Sequence, residues 1–326
     1  MYIQMNKRLL FGVFFAICIT ACQNVSNTHV ETSASPQMAE FEVVDSPIPL
    51  LNPHRIFVSG KHLVIYQSGV QKPFSIISLP INKSSRCARY GNIGNGPGEV
   101  VSPDVRSFEV SEKSFLFFDA GGIRKEFTIV GDSLLFSGEK RVSSIVGPTN
   151  GMYPLQIGFL NINLSDSEYE FEVYQKNGEK EKKSLYPNWG GQTQEANLTK
   201  YLKQVAVRPD GRNALVLYAF FNKCRLLDGN GDVLKEITVN AVDGGFYHEM
   251  LHKTVFYSSY PCADNKRIVA KYGSNEIHVF DWNGSLVRRI QFDQDFDDFT
   301  VDFVNNKLYA VSYSDDSHIF LLNMLF

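Results

Sequence analysis

Short apolar runs separated by turn residues fill most of the chain, and the region from Val205 to Asn240 shows this pattern best. Four strand-length runs follow one another there, at 205–207, 214–220, 224–227 and 233–239. The turn sequences Pro209-Asp210-Gly211 and Asp228-Gly229-Asn230-Gly231 separate them. Apolar and polar residues alternate in the last run, which indicates a strand with one face in water. The region therefore predicts a sheet of four short strands.

This unit repeats along the chain, and the repeat is easiest to recognise in the last hairpin of each unit. Asn230-Gly231 recurs as Asn283-Gly284, 53 residues later, and Asn177-Gly178 lies another 53 residues upstream. Asn-Gly readily takes the positive backbone torsions of a tight hairpin. Two weaker turns precede these, at Asn82-Lys83 and Gly131-Asp132. A period of roughly 40–55 residues with several strands in each period is typical of a β-propeller.

The number of blades follows from the end of the chain. A sixth unit supplies only three strands, at 300–304, 308–313 and 318–325, before the chain ends. The strand-like segment Phe41–Asp45 precedes the first full blade and has no other partner, so we expect it to complete the last one. The sequence thus predicts an all-β, six-bladed β-propeller over residues 41–326, its ring closed by an N-terminal strand. The third blade, residues 141–189, is the least regular.

The N-terminus has the features of an export signal. Lys7 and Arg8 precede an apolar run, Leu9–Ile19, that is too short to span a bilayer, and Thr20-Ala21-Cys22 follows. This arrangement resembles the lipobox of bacterial lipoproteins, in which cleavage falls before the cysteine and the cysteine carries lipid. We expect residues 1–21 to be a signal peptide and Cys22 to be a membrane anchor. The alternative is an ordinary secretory signal with an incidental cysteine.

Residues 22–40 are rich in Ser, Thr, Asn and Gln and hold few apolar side chains, so we expect a flexible tether. Position 23 is Gln and not Asp, which by resemblance to lipoprotein sorting rules argues against retention at the inner membrane. No acidic run follows Cys22. Such a run resembles the surface-export signals of some gut bacteria, so the periplasmic face of the outer membrane is favoured over the cell surface.

The net charge and the cysteine spacing argue against two kinds of partner, nucleic acid and a cysteine-bound metal. The formal net charge is −3 and no basic stripe is present, which argues against nucleic acid as a partner. Besides Cys18 and Cys22, the cysteines are Cys87, Cys224 and Cys262. At most one disulfide can form among three, and we expect buried free thiols instead, because the spacing resembles no metal knuckle. No cofactor is predicted.

A glycine-rich loop, YGNIGNGPGEV, follows the predicted first blade. Its residues Gly94, Gly96, Gly98 and Glu99 could contact a ligand through Glu99, although an architectural turn is the favoured interpretation. A phosphate-binding loop would need a following helix and a Lys-Ser/Thr pair, and both are absent from the sequence here.

Four strings carry a family resemblance: GNGPGEV, YSSYPCADNKRIVAKYG, IHVFDWNGSLVRRIQFD and FTVDFVNNKLYAVS. They resemble the TolB-like six-bladed propeller lipoproteins of Bacteroidetes, over about Arg55 to Phe326. The resemblance implies an exported six-bladed propeller. It implies no reaction and no catalytic residues.

Two motifs could hold metals. His248, Glu249 and His252 match the H-E-x-x-H of zinc proteases, with Glu276 as a conceivable third ligand. The region between predicted strands is too short for the long helix that this chemistry needs, so a chance match in a loop is favoured and no bound zinc is expected. The acidic cluster formed by Asp293, Asp295, Asp297 and Asp298 has calcium-like spacing. It lacks the glycine and the closing glutamate, which favours a solvated loop.

Two classes of function remain. The favoured one is a non-catalytic binding or scaffold module, anchored through Cys22, that holds a protein, peptide or glycan. The alternative is a hydrolase or lyase in the central channel, possibly metal-dependent, which would need carboxylates or imidazoles from several blades to converge on the axis. The aromatic residues Tyr257, Tyr260, Trp189 and Trp282 could line a groove, but packing is the favoured role for them.

Overall fold

The structure is a computed structural model that describes residues 28–142, 151–163, 168–189, 196–240 and 256–324. Six sheets follow one another along the chain, each built on four antiparallel strands. The first strands of neighbouring sheets lie side by side around a common channel. This arrangement confirms the six-bladed β-propeller that the repeat predicts.

The strands of the first half begin with an N-terminal group. These are β1 (Thr28–Thr32), β2 (Pro36–Ala39) and β3 (Glu42–Asp45). Blade 1 comprises β4 (Pro53–Ser59), β5 (His62–Gln67), β6 (Phe74–Ser78) and β7 (Cys87–Tyr90). A small parallel pair follows, β8 (Asn92–Ile93) and β9 (Glu99–Val100). Blade 2 comprises β10 (Glu109–Val110), β11 (Ser114–Asp119), β12 (Ile123–Val130) and β13 (Ser133–Arg141). Blade 3 comprises β14 (Met152–Leu155), β15 (Gly158–Ile162), β16 (Tyr169–Gln175) and β17 (Lys180–Leu185).

The second half contains the more regular blades. Blade 4 comprises β18 (Lys203–Val207), β19 (Asn213–Tyr218), β20 (Lys223–Asp228) and β21 (Val233–Val239). Blade 5 comprises β22 (Cys262–Ala263), β23 (Arg267–Tyr272), β24 (Glu276–Asp281) and β25 (Leu286–Phe292). Blade 6 comprises β26 (Asp298–Asp302), β27 (Lys307–Ser312) and β28 (Asp315–Asn323), together with β3. The described helical segments are short: 3-10 turns at Val105–Ser107 and Ala120–Gly122, and α1 (Asn197–Lys200).

The two best-matched hairpins of the repeat have the same geometry. Asp228 and Asp281, which precede the Asn-Gly pairs, each accept backbone N–H bonds from the residues two and four positions later, at 2.8–3.0 Å. Gly231 and Gly284 adopt φ of +83° and +86°, in the region that glycine alone enters at no steric cost. The aspartate and the glycine together fix the turn, which is why this hairpin shows the repeat most clearly in the sequence.

The N-terminal strand β3 closes the ring, as predicted. It pairs antiparallel with β28, with Glu42 opposite Leu321 and Asp45 opposite His318. Phe41, directly before β3, is 8 % exposed, and its ring stacks on Phe292 of blade 5 with 4.2 Å between centroids. The closing strand therefore covers the outer edge of blade 6 and adds an aromatic anchor to the core between blades 5 and 6.

Residues 28–39 differ from the flexible tether that we expected over 22–40. β1 pairs in parallel with β21, the outer strand of blade 4, and β2 pairs in parallel with β25, the outer strand of blade 5. We call this segment the N-terminal belt. Its side chains are mostly exposed and only a few are apolar, but pairing with a sheet edge uses backbone hydrogen bonds and needs no apolar side chain. Low hydrophobicity therefore did not distinguish an edge strand from a disordered linker.

The hydrophobic core is divided among the blade interfaces. Six buried clusters occur in the described chain, and each joins the facing sides of two neighbouring blades. Cys224 is buried in the cluster between blades 4 and 5, whereas Cys87 and Cys262 are half-buried, and all three thiols are free. No helix in the described ranges has the length and apolar character that crossing a bilayer requires.

The interface between blades 3 and 4 also contains a buried ion cluster. The carboxylate of Glu170, on β16, accepts hydrogen bonds from Lys203 Nζ, from the Tyr218 hydroxyl at 2.6 Å and from Arg225 Nη1 at 3.0 Å. Glu170 is 0 % and Lys203 1 % exposed. Burial lowers the pKa of Lys203 to about 8, although the adjacent carboxylate opposes that shift. One carboxylate from blade 3 thus accepts hydrogen bonds from three blade 4 side chains, of which Arg225 also pairs with Glu236 of its own blade.

A histidine is buried in blade 5. His278 Nε2 lies 2.8 Å from the Glu276 carboxylate, and its Nδ1 lies 3.0 Å from the Tyr257 hydroxyl. A neutral ring that carries its proton on Nε2 satisfies both bonds, with Nδ1 as the acceptor. Burial lowers the pKa of His278, with a smaller contribution from the charge of Arg289. A second proton on Nδ1 would also displace the hydrogen of Tyr257.

We expect the free energy of unfolding to fall as the pH drops below about 6.5, because unfolded His278 takes up a proton there and folded His278 does not. One such group gives a slope of at most about 1.4 kcal/mol per pH unit. Burial alone would raise the pKa of Glu276, but hydrogen bonds from His278 and Arg289 hold it below 4.5, so its own effect falls in a lower pH range. Urea denaturation at pH 7.5, 6.5 and 5.5 measures the slope.

Two variants show whether the slope belongs to this residue. His278→Gln should flatten the dependence, whereas His54→Gln, which removes an exposed imidazole, should leave it unchanged. An equal slope in His278→Gln and the parent protein would contradict the assignment.

Candidate functional site: the axial channel

The inner strands of all six blades surround an axial channel with a volume of about 1110 Å³. Small-ligand pockets typically have volumes of about 300–1,000 Å³. The channel therefore has room for a small ligand or for a short segment of a larger one.

The channel lining carries more positive than negative charge. Its described residues include five cations and three carboxylates: Arg55, Lys61, Arg106, Lys113 and Arg208 against Glu109, Glu112 and Asp302. The whole chain, in contrast, has a formal net charge of −3. A concave site of one sign attracts ligands of the opposite sign, so the channel favours anions over the rest of the surface.

Two arginines and two tyrosines lie at the end of the channel where the inner strands begin, which we call the arginine end. Arg55 is near the start of β4, Arg106 precedes β10, Tyr153 is near the start of β14 and Tyr260 precedes β22. Every blade begins with its inner strand, so these starts gather at one end of the axis. The Arg55 guanidinium lies over the Tyr260 ring, 4.9 Å from its centroid.

Asp104 positions one arginine and one tyrosine of this end. Its Oδ1 accepts the backbone N–H of Arg106 at 3.2 Å and so caps the 3-10 turn that carries Arg106. Its Oδ2 accepts the N–H of Gly151 at 2.7 Å, two residues before Tyr153. One carboxylate therefore fixes the chain on both sides of the gap between blades 2 and 3.

Asp298 positions the chain next to the other arginine and tyrosine, Arg55 and Tyr260. It is 1 % exposed, and its oxygens accept the backbone N–H of Ile56 at 3.0 Å and the Ser259 hydroxyl at 2.6 Å. Ile56 follows Arg55 and Ser259 precedes Tyr260. Burial raises the pKa of Asp298, against the opposing charge of Arg55. Asp298 thereby links blades 5, 6 and 1, because it holds the backbone after Arg55 and the side chain before Tyr260.

Both tyrosines of the arginine end are hydrogen-bond donors at neutral pH. Burial raises the pKa of Tyr153 and of Tyr260, and the charges of Arg55 and Arg106 oppose the rise at both phenols. Tyr153 is 6 % exposed, and its hydroxyl has no hydrogen-bond partner. The buried Nε and Nη1 atoms of Arg55 also have none. The Tyr153 hydroxyl and two N–H groups of Arg55 are therefore hydrogen-bond donors without an acceptor among the described residues.

The predicted ligand loop lies elsewhere. The Glu99 carboxylate turns back into its own loop and accepts the Gly96 N–H at 2.7 Å, and its backbone oxygen accepts a hydrogen bond from Lys125. A side chain at Gly94 or at Gly98 would collide with Glu99 or with Phe136, respectively. The loop residues do not line the channel, although the loop leads directly to Asp104 and Arg106. A ligand contact at Glu99 stays a prediction.

The other predicted sites fall partly outside the described residues. Cys22 and the motif His248, Glu249 and His252 lie there. Of the acidic cluster, Asp297 accepts the Tyr313 N–H at 2.6 Å, and Asp298 faces Ile56 and Ser259 instead. Within the ranges that the structure describes, no three His, Cys, Asp or Glu side chains come together as a metal site requires.

The aromatic candidates have different roles. Tyr260 lines the channel, whereas Tyr257 is buried against His278. Trp189 and Trp282 donate their indole N–H groups to Glu236 and to the Asp264 carbonyl, respectively. Sequence reasoning missed Arg55, Arg106 and Tyr153. The repeat could have pointed to them, because the residues that open each blade occupy equivalent positions at one end of the axis.

Comparison with known proteins supports the fold. No protein-family profile matches the chain, and no curated protein matches it. Among solved structures, a "Putative exported protein" of Bacteroides fragilis superposes with a TM-score of 0.54 at 13% identity, covering 92% of this chain and 100% of that one. The β-propeller domain of Myceliophteria thermophila Cps50 (Swd1) gives a TM-score of 0.44 at 12% identity, covering 87% and 100%. The six four-stranded sheets around the channel make the described chain a six-bladed β-propeller.

Proposed function

We propose that this chain is an exported lipoprotein, anchored to the outer membrane by lipid on Cys22, that binds a ligand in its axial channel without chemical conversion. The ligand is a protein, peptide or glycan segment. The signal-like N-terminus with its lipobox resemblance supports export and anchoring. The resemblance to TolB-like lipoproteins of Bacteroidetes supports them too, as does the structural likeness to a Bacteroides fragilis protein named as exported.

One observation carries the binding role: the channel's arginine end presents hydrogen-bond donors that have no partner among the residues that the structure describes. Donors of this kind recognise acceptor groups, whereas a hydrolase or lyase also needs a base or a metal-bound water near the reacting atom. Arg55 and Tyr153 can hold a ligand and supply neither. The arrangement therefore favours recognition over catalysis.

Crosslinking in intact cells tests the proposal. We expect the anchored protein to be recovered from the outer-membrane fraction with one partner at near-equal amount, identified by mass spectrometry. Arg55→Gln should reduce the yield of that partner by roughly tenfold, because losing a charged hydrogen bond costs about 1.5–3 kcal/mol.

A matched variant controls for position along the channel. Lys61→Gln removes a cation beyond the far end of β4 and should retain the partner. Cys22→Ser should remove the protein from the outer-membrane fraction, because the lipid that holds it there is lost. Recovery of the Cys22→Ser protein in the outer membrane at the parental level would refute the lipid anchor, and an equal loss of partner in both channel variants would refute the arginine end as the contact.

A further inference from the structure

We propose that the arginine end is a binding site for an oxyanion, the carboxylate or phosphate group of a ligand that extends along the channel. The site consists of Arg55, Arg106, Tyr153 and Tyr260. This inference rests on the binding role proposed above and names the chemistry that the ligand carries.

The charge of Arg55 is the first argument. In the described part of the chain, no carboxylate lies within ion-pair distance of its guanidinium, and Nε and Nη1 are buried without an acceptor. Asp298 lies near enough to act on Arg55 electrostatically, but its oxygens are engaged by Ile56 and Ser259. The Tyr260 ring beneath the guanidinium compensates only part of the charge. Two buried N–H groups without an acceptor are costly, and an incoming oxyanion would satisfy them.

The hydroxyl of Tyr153 is the second argument. It is buried, it stays protonated at neutral pH and it has no partner. A phenolic O–H donates to an anionic oxygen more strongly than to a neutral one. The charges of Arg106 and Arg55 act on this phenol, as does the opposing charge of Asp104, which places Tyr153 close to both arginines.

Rigidity is the third argument. Asp104 fixes the backbone beside Arg106 and Tyr153, and Asp298 fixes the backbone after Arg55 and the side chain of Ser259, next to Tyr260. Each of the four donors is thus tied to its neighbour across a blade boundary. Donors that are positioned before binding lose little entropy when the ligand arrives. This double anchoring distinguishes the arginine end from the solvated lysines farther along the channel.

The size of the channel indicates that the oxyanion is one part of a larger ligand. A volume of about 1110 Å³ exceeds the space that a single phosphate or carboxylate fills. Lys61, Lys113 and Arg208 lie farther along the lining, beyond the arginine end. The remainder of the ligand would therefore lie along a channel that is itself weakly positive.

Thermal unfolding of the purified full-length mature protein in detergent tests the site without knowledge of the natural ligand. Sodium phosphate and sodium glutarate, each titrated to 50 mM at constant ionic strength against chloride, should raise Tm saturably by roughly 2–4 °C in at least one case. A shift with glutarate alone identifies a carboxylate, and a shift with phosphate alone identifies a phosphate. Arg55→Met should abolish the shift.

Two further variants keep the test decisive. Tyr153→Phe removes only the hydroxyl without a partner, so it should leave the anion-free Tm unchanged or higher and reduce the anion affinity about tenfold. Lys61→Met removes the same charge from another part of the lining and should keep the full shift. The oxyanion site is overturned if neither anion gives a saturable shift, or if the shift survives Arg55→Met. A partner captured in cells by a protein without such a shift would leave the binding role standing and reject only the oxyanion.

Discussion

Replacing Glu170 with alanine is expected to lower the free energy of unfolding by about 3–5 kcal/mol, the range measured when one partner is removed from a buried ion pair. Glu170 is the carboxylate that blade 3 contributes to Lys203, Tyr218 and Arg225 of blade 4. Its loss leaves two buried cations with one fewer anion, and water cannot reach them. Urea denaturation at pH 7.5 measures the change, which would be a large share of the roughly 5–15 kcal/mol that holds a domain together.

Two comparisons separate this cause from a general effect of mutation. Glu181→Ala breaks the ion pair with Lys183 on the exposed side of blade 3 and should cost no more than about 1 kcal/mol. The double variant Glu170→Leu, Lys203→Met replaces both members of a buried pair with apolar groups and should cost less than Glu170→Ala alone. A double variant that is as unstable as the sum of both single ones would contradict the electrostatic explanation.

Removing the closing strand is expected to prevent folding of the ring, whereas removing the belt is not. A protein that begins at Ser46 lacks β3 and Phe41, so blade 6 has an open edge and the core between blades 5 and 6 has a hole. A protein that begins at Glu40 keeps both and loses only the edge pairing of β1 and β2. Far-ultraviolet circular dichroism and size-exclusion chromatography should show a folded monomer for the second and an unfolded or aggregated chain for the first.

Point variants test the same closure with less disruption. Phe41→Ala should cost about 3–5 kcal/mol, the range for truncating a buried phenylalanine. Val43, on the same strand, is 46 % exposed, so Val43→Ala should change the free energy of unfolding by no more than about 0.5 kcal/mol. Equal costs for the two would mean that β3 contributes through its backbone alone.

The ring and its closure could be predicted from the sequence because each has a signal that can be recognised in a short stretch of residues. The hairpin that Asp228 and Gly231 fix recurs at Asp281 and Gly284, and a chain that ends three strands into a blade requires a strand from elsewhere. The belt has no such signal. Its backbone supplies the pairing, and polar residues that bond an exposed sheet edge look like those of a linker.

The sequence analysis missed the arginine end for a different reason. Arg55, Arg106, Tyr153 and Tyr260 are spread over about 200 residues and share no motif. Only the circular arrangement brings the starts of the inner strands together. Asp298 illustrates the difficulty: in the sequence it belongs to a calcium-like acidic cluster, but in the fold its oxygens face Ile56 and Ser259. A residue's role here depends on its place around the axis more than on its neighbours in the chain.

The belt also shortens the stretch of chain that would connect a lipid on Cys22 to the propeller. With lipid on Cys22 and a freely moving tether to β3, about 20 residues would allow the globule to range up to roughly 70 Å from the bilayer. Because β1 begins at Thr28 on the rim of blade 4, only about six residues remain, and the reach falls to roughly 20 Å. The rim of blade 4 would then stay close to the membrane surface. Both mouths of the channel could face sideways, open to partners that diffuse along the envelope.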